Sequence, residues 1–518
     1  MTSIDAGSGV RALPTAGRSM TGMMALRLGG QFAVFGTVIL LGRMLGPADF
    51  GRYSFLFGFL MILTLFNLHG LNDILVREMA SRPTERDVIY RSGLALKFVA
   101  GGAAFLTACS LIVAFPVTDL PPWVGCAAAL TLWFSFSMSS LRLVWDVPYQ
   151  VDFRMTSASM VNFGAKVLFL LALVLWAWLG SRRGEPVEGL FVPGVITGGV
   201  AAVVILQVIT EAVGTAAQGG LNLRFGYPIA PQWDAVMVRF LWREVRPLAL
   251  TGALMMFYAK VNLLLIRLLM TPRDLGLYAA PMRMVEALYI VPTVFAAGMM
   301  PILARTFRTV SDEFDTQVGL GYRMMLLVSC PIAVVVSFYS GEVISLFYGA
   351  QFRGSAEVIA WFAWMAVLGF SIIFCYSVLI AAGRQRELTA ICTVQAAAAV
   401  IFNSLLIFRF GLRGAVWGHL FVYFLMFPLA LRFRGSRFAA LNWFKSLPVP
   451  IASAVAVGLA ARWLGLSLPT AVVVVPVLFL GLMVLTGWLG RGDFRRIVEL
   501  AKYRSYDRNG YDDCSPTA

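Results

Sequence analysis

Apolar residues along this chain gather in runs of roughly 20, the length of helix that crosses about 30 Å of hydrocarbon. About 14 such runs can be laid out, each read as a transmembrane helix. Their approximate limits are 23–45, 51–71, 92–116, 121–145, 157–179, 191–215, 247–270, 277–303, 318–339, 356–382, 387–408, 412–432, 447–465 and 470–490. The breaks between runs are short and polar. The longest on one side, about 340–355, is too small for a domain. The longest on the other, about 217–246, holds an amphipathic piece. Val236, Met237, Phe240 and Leu241 fall on one face of it, and Asp234, Arg239, Arg243 and Glu244 mostly on the other. That pattern suits a helix in the headgroup layer, with an ordinary linker helix as the alternative. Residues 1–21 are polar, and the apolar run after them is too long for a cleaved signal, so it reads as a retained signal-anchor. The polar, tyrosine-rich tail after Arg504 reads as disordered.

Composition agrees. Of the 518 residues, 59% are hydrophobic and 13% charged, about half the charged share of a soluble domain. The mean hydropathy is +0.79. The net charge of +15 lies in short loops between the runs, which points to membrane orientation and away from nucleic acid. With the N-terminus placed in the cytoplasm, roughly 30 of the 42 Lys and Arg fall on the cytoplasmic side. Both ends are then cytoplasmic, which requires an even number of spans. Five of the six cysteines sit in apolar runs without CxxC spacing and read as small core residues.

A duplication organises the chain. Pro47-Ala-Asp49-Phe-Gly51-Arg-Tyr53 joins the first two runs, and Pro272-Arg-Asp274-Leu-Gly276-Leu-Tyr278 joins the seventh and eighth. Each reads Pro-x-Asp-apolar-Gly-x-Tyr, at an offset of 225 throughout. A second echo pairs Gly93-Leu94 and Lys97 with Gly319-Leu320 and Arg323, at an offset of 226. Locally, Pro and Gly suit a tight turn, and Asp suits a cap for the next helix. Globally, two halves inserted in the same orientation predict a parallel repeat about an axis along the membrane normal. The expected layout is an N-terminal tail (1–22), a six-helix bundle (23–216), an amphipathic cytoplasmic linker (217–246), a second six-helix bundle (247–435), two additional transmembrane helices (436–490) and a cytoplasmic tail (491–518).

At these residues the sequence resembles the polysaccharide transporter (Wzx-type repeat-unit flippase) family of the MOP exporter superfamily. The resemblance is carried by Leu41-Gly-Arg-Met-Leu-Gly-Pro-Ala-Asp-Phe-Gly-Arg-Tyr53, with Gly70-Leu71 and Leu75-Val-Arg77-Glu78. It continues in Asp274-Leu-Gly-Leu-Tyr278-Ala-Ala-Pro-Met-Arg283-Met-Val-Glu286, Pro292 to Pro301, and Ser345-Leu-Phe-Tyr-Gly349-Ala-Gln-Phe352. With the span layout it covers roughly 20–435. It implies an all-α, MOP/MATE-like fold around a central cavity, and movement of a lipid-linked oligosaccharide across the inner membrane for surface polysaccharide assembly. It also implies membrane lipids, a polysaccharide polymerase and a chain-length regulator as partners, a coupling ion (H+ or Na+) and no cofactor. Family members often carry an acidic residue in span seven. This chain has Asn262 about there, so that carboxylate's role does not carry over.

Ionisable residues inside spans are the candidates for chemistry, because lipid-facing charge costs several kcal/mol. Lys260 lies about 14 residues past Arg246, near mid-membrane at about 1.5 Å per residue, and reads as a cavity cation; snorkelling is the alternative. Arg283 and Glu286 stand one turn apart and either lock two helices together or leave Arg283 to clamp phosphate. Arg27 with Gln31, Lys97 and Lys166 lie nearer the cytoplasmic ends. They either snorkel or line an access funnel for an anionic headgroup. Asn403 and Gln395 lean towards gluing helices together. Pro247, Pro281, Pro292, Pro301 and Pro331 either kink helices to open a portal or make static bends. His69 and His419 are too scattered for a metal site or proton relay and read as satisfied interfacial histidines. No Walker A motif occurs, which excludes ATP hydrolysis by this chain.

Three other readings compete. An ion-coupled drug exporter of the same superfamily would be expected to favour an acidic cavity. A membrane polysaccharide polymerase or ligase would carry a sizeable external loop with catalytic residues. A structural membrane partner would have little use for charges inside its spans. The chain is therefore read as a transporter and not an enzyme.

Overall fold

In lipid each spanning segment must satisfy its own backbone polar groups, which leaves the helix as the form for isolated apolar runs. The computed structural model describes residues 8–63, 68, 70–114, 133–134, 137–152, 154–183, 198–309 and 311–490. Among these residues every regular element is helical. The first half holds α1 (Ser8–Leu63), α2 (Leu71–Ser81), α3 (Arg86–Ala114), α4 (137–145), α5 (Val147–Val151), α6 (Met155–Arg183) and α7 (Gly198–Arg224). The second holds α8 (Ala235–Leu269), α9 (Pro272–Leu288), α10 (Ile290–Thr309), α11 (Ser311–Phe338), α12 (Ser340–Tyr348), α13 (Ala356–Phe362), α14 (Trp364–Ala381), α15 (Gln385–Phe424) and α16 (Met426–Arg432). The C-terminal helices are α17 (Arg437–Ser446), α18 (Pro448–Trp463) and α19 (Leu468–Leu485). His69, Cys126, Cys514 and the tail 491–518 lie outside the described residues.

Eleven helical segments among the described residues are long and apolar enough to cross a membrane. Two of them fold back on themselves, so the crossings exceed eleven. In α1 the reversal is at Gly46, whose φ of 69° a side chain would resist. Phe35 and Phe50 would stand about 22 Å apart on a straight helix, yet they meet the adjacent rings of Phe347 and Tyr348 at 5.6 and 6.1 Å. In α15 the reversal is at Gly411, with φ 57°. There Gln395 donates to the Val422 carbonyl at 2.9 Å across the hairpin, and the Phe402 and Phe421 rings lie 4.8 Å apart. The expected run 121–145 is described only from residue 133 onward.

The amphipathic piece in 217–246 differs from its reading. It is not a separate helix but the first turns of α8, which continues unbroken to Leu269. Asp234 caps it, accepting from the Val236 and Met237 amides at 3.0 and 2.8 Å. Of its apolar face, Met237, Phe240 and Leu241 pack against protein, whereas Val236 is 82% exposed. Val238, Leu241 and Val245 are buried with Leu71, Ile74, Leu75, Tyr90 and Leu94 in an apolar cluster of their own. Arg77 pairs with Glu244 at 2.7 Å, and the Arg82 guanidinium sits 4.9 Å over the Phe240 ring. The second half thus grips the first at this end of the bundle. Pro247, Pro281 and Pro331 lie within continuous helices. Pro292 follows one turn after the junction of α9 and α10 at Tyr289.

Candidate functional site

The two copies of the repeated turn meet. A Cβ on Gly51 would strike the Pro272 carbonyl oxygen and the Gly276 nitrogen; a Cβ on Gly276 would strike the Pro47 carbonyl oxygen. Each glycine is absent of side chain because the other copy's backbone occupies that space. Asp274 completes a capping box with Thr271 at 3.2 Å, whereas Asp49 pairs with Arg52 at 2.7 Å. Around the crossing, the Arg43 guanidinium donates to the Phe347 carbonyl at 2.7 Å, and Gln351 donates to the Arg43 carbonyl at 3.0 Å. Phe50 packs edge-on against Phe352 at 6.0 Å. The halves are sealed at this end, which the charge pattern predicts to be external.

Deeper along the same seam lies a charged cluster. Lys260 of α8 is ion-paired with Glu286 of α9. Arg283 stands 3.8 Å from the other carboxylate oxygen of Glu286, with its guanidinium 4.3 Å over the Phe57 ring of the first half. Side-chain exposures are 8% for Lys260, 17% for Arg283 and 26% for Glu286. None of the three therefore extends into lipid or snorkels. Two cations share one carboxylate, which leaves a net positive charge at the contact between the halves. Arg283 and Glu286 do approach across one turn, as their spacing suggests, but the closer partner of Glu286 is Lys260, 26 residues earlier.

Asn262, one residue from the buried Val261, is spent on structure. It donates to the Tyr278 hydroxyl at 2.8 Å and to the Ala415 carbonyl at 3.2 Å. The Tyr278 hydroxyl in turn meets His419 Nδ1 at 2.7 Å. His419 is 3% exposed, so it is a core residue and not an interfacial one. Tyr53, the first-half counterpart of Tyr278, donates to Gln207 at 3.2 Å. Tyr278→Phe would strand a buried amide N–H and a ring nitrogen, so we expect a loss of about 1–3 kcal/mol. Thermal unfolding in detergent measures it; an unchanged midpoint would contradict the network.

The remaining candidates gather elsewhere. Arg142 of α4 and Glu211 of α7 form a buried ion pair that sequence reasoning missed. The signal was available, since both lie inside expected spans. Lys166 faces Gly30, whose missing side chain leaves room for the lysine chain 3.2 Å from an ideal Cβ. Arg27 and Arg142 lie within electrostatic reach of Asp146, which accepts from Asn162 at 2.9 Å. Arg27 and Lys166 therefore belong to a first-half cluster rather than to the seam. Lys97 is half-buried on α3 with contacts of its own, and Gln31 is half-buried on α1.

A family profile described as "Polysaccharide biosynthesis protein" matches residues 17–307. No curated protein matches the sequence. Among solved structures the chain is similar to lipid II flippase MurJ in an inward closed conformation. That match has 10% identity and a TM-score of 0.65, covering 90% of this chain and 98% of that one. It is also similar to an inward-facing multidrug resistance MATE family transporter of the MOP superfamily, at 14% identity and TM-score 0.59 over 84% of this chain and 98% of that one. An outward-facing MATE family transporter of that superfamily fits at TM-score 0.54, with 12% identity over 86% and 96%.

Proposed function

The chain belongs to the polysaccharide biosynthesis protein family, and we propose that it is a flippase for undecaprenyl-pyrophosphate-linked oligosaccharide repeat units. It carries them from the cytoplasmic to the outer leaflet of the inner membrane by alternating access, for surface or exopolysaccharide or O-antigen assembly. Both termini face the cytoplasm in this reading, and the sealed turns face outside.

The observation that carries the proposal is Arg283 and Lys260 at the seam between the halves, held off lipid. A sugar pyrophosphate cannot cross hydrocarbon bare, because burying its polar groups and charge without partners is prohibitive. A wet, cationic passage between the halves solves that problem while the polyprenyl tail stays in the bilayer. The guanidinium fork matches phosphate oxygens, and a pyrophosphate would compete with Glu286 for both cations. Export of a negative headgroup from a negative-inside cell gains about 2.3 kcal/mol per charge per 100 mV. That gain favours the outward direction without ATP.

The test is flipping in proteoliposomes with undecaprenyl-pyrophosphate glycans. We expect Arg283→Gln to slow flipping at least about tenfold, the worth of a single charged hydrogen bond, and Arg283→Lys to restore part of it. Wild-type flipping by Arg283→Gln refutes the phosphate role.

A further inference from the structure

The second sequence echo, Gly93-Leu94…Lys97 against Gly319-Leu320…Arg323, has different surroundings in the two halves. In the first half Gly93 is covered by the apolar Leu75 of α2, 2.6 Å from an ideal Cβ. In the second, Gly319 faces the Asn442 side-chain oxygen of α17 at 3.5 Å. Beside Gly319 a cavity of about 380 Å³ lies between α11 and α17. Thr316 and Arg323 line it from α11, and Leu441, Asn442 and Lys445 from α17. Asp315 also lines it.

Its depth is set by the sequence. α11 begins with the stretch 311–317, polar except for the buried Phe314, and turns apolar at Val318, so the cavity straddles the polar–apolar boundary. α17 is a short helix lying before the membrane run of α18. Trp488, just past α19, donates to the Ser446 carbonyl at 3.2 Å, and the Arg323 guanidinium lies 5.8 Å over its ring. An indole at this level marks the headgroup belt. Two cations against one carboxylate, with amide and hydroxyl groups beside them and a half-exposed Leu441 at the rim, suit a phosphate attached to an acyl chain. The volume suits a headgroup, since ligand pockets run about 300–1,000 Å³.

We propose that this cavity binds the phosphate headgroup of an anionic phospholipid in the leaflet on the side of the positively charged loops. Arg323 and Lys445 hold the phosphate, and Asn442 and Thr316 hold headgroup hydroxyls. The C-terminal helices thereby supply half of this lipid site.

The test uses the full chain purified in detergent, with bound lipid counted by native mass spectrometry and stability followed by thermal unfolding. Phosphatidylglycerol is expected to stay bound and raise the midpoint, and phosphatidylcholine to do neither. Arg323→Gln and Lys445→Gln should each weaken phosphatidylglycerol about fivefold, the usual worth of one cation near a charged membrane surface. Arg434→Gln, an exposed cation outside the cavity, should leave it unchanged. Lys445 is itself exposed, so its variant tests the site even where Arg323→Gln misfolds. Equal binding of phosphatidylcholine, or wild-type affinity in Lys445→Gln, overturns the proposal. An equal, Lys445-dependent shift from inorganic phosphate alone assigns the site to a free anion and overturns the lipid. Preference for undecaprenyl pyrophosphate over phosphatidylglycerol assigns it to the transported substrate and overturns it as well.

Discussion

Gly51→Leu or Gly276→Leu is expected to abolish flipping while leaving the chain membrane-inserted. Each side chain would be driven into backbone of the opposite turn, Pro272 and Gly276 in one case and Pro47 in the other. Backbone cannot rotate away as a flexible side chain can. Overpacking of this kind costs about 1–3 kcal/mol, and occasionally more. At about 3 kcal/mol the sealed state loses roughly a hundredfold in population against the open one. Spin labels on the exposed positions Ala48 and Arg273, which flank the two turns, read the seal directly. In the wild type their distance should be short, and in either glycine variant it should lengthen. Unchanged distance and unchanged flipping in both variants would show that the crossing is not a gate. Because the contact is reciprocal, either glycine alone should have the full effect, and the double variant should add little.

The second large effect is an asymmetry within the seam cluster. Glu286→Gln should harm the fold more than Lys260→Met. Removing Glu286 leaves Lys260 and Arg283 as like charges in a site where they are 8% and 17% exposed. Breaking a buried ion pair typically costs about 3–5 kcal/mol. Residual exposure of Glu286 brings the expectation to about 3 kcal/mol here. Removing Lys260 is milder, about 1–2 kcal/mol, because Arg283 already stands 3.8 Å from the same carboxylate and can take it over. The double variant Lys260→Met with Glu286→Gln should recover part of the lost stability, since it removes the clash of two cations but still leaves Arg283 without its carboxylate. A thermodynamic cycle from thermal unfolding measures the coupling. Equal losses for the two single variants, or strict additivity in the double, would mean that the pair is not the closed unit the geometry describes.

Much of this molecule was legible in the sequence. The apolar runs announced their helices because bilayer thickness is a one-dimensional constraint, and the run length answers it directly. The repeated Pro-x-Asp-apolar-Gly-x-Tyr marked two equivalent turns because the same local geometry demands the same residues. The placing of Lys260 and Arg283 within apolar runs followed from the same apolar pattern. Membership of a family of helical transporters followed from those patterns together.

Other features rest on which surfaces meet, and no linear period encodes that. The glycines of the repeat read as turn formers, but each is required by its partner copy 225 positions away. Amphipathicity from Val236 to Leu241 said that one face needed cover, and only packing showed that protein covers Met237, Phe240 and Leu241 of it while Val236 stays exposed. Glu286 sits one turn from Arg283, yet its closest partner is Lys260, and Arg142 reaches Glu211 across 69 residues. The chain by itself determined which charged residues fall within its apolar runs. Only the tertiary structure decided their partners, because an ion pair depends on a few ångströms between helices whose order along the sequence does not set their distance in space.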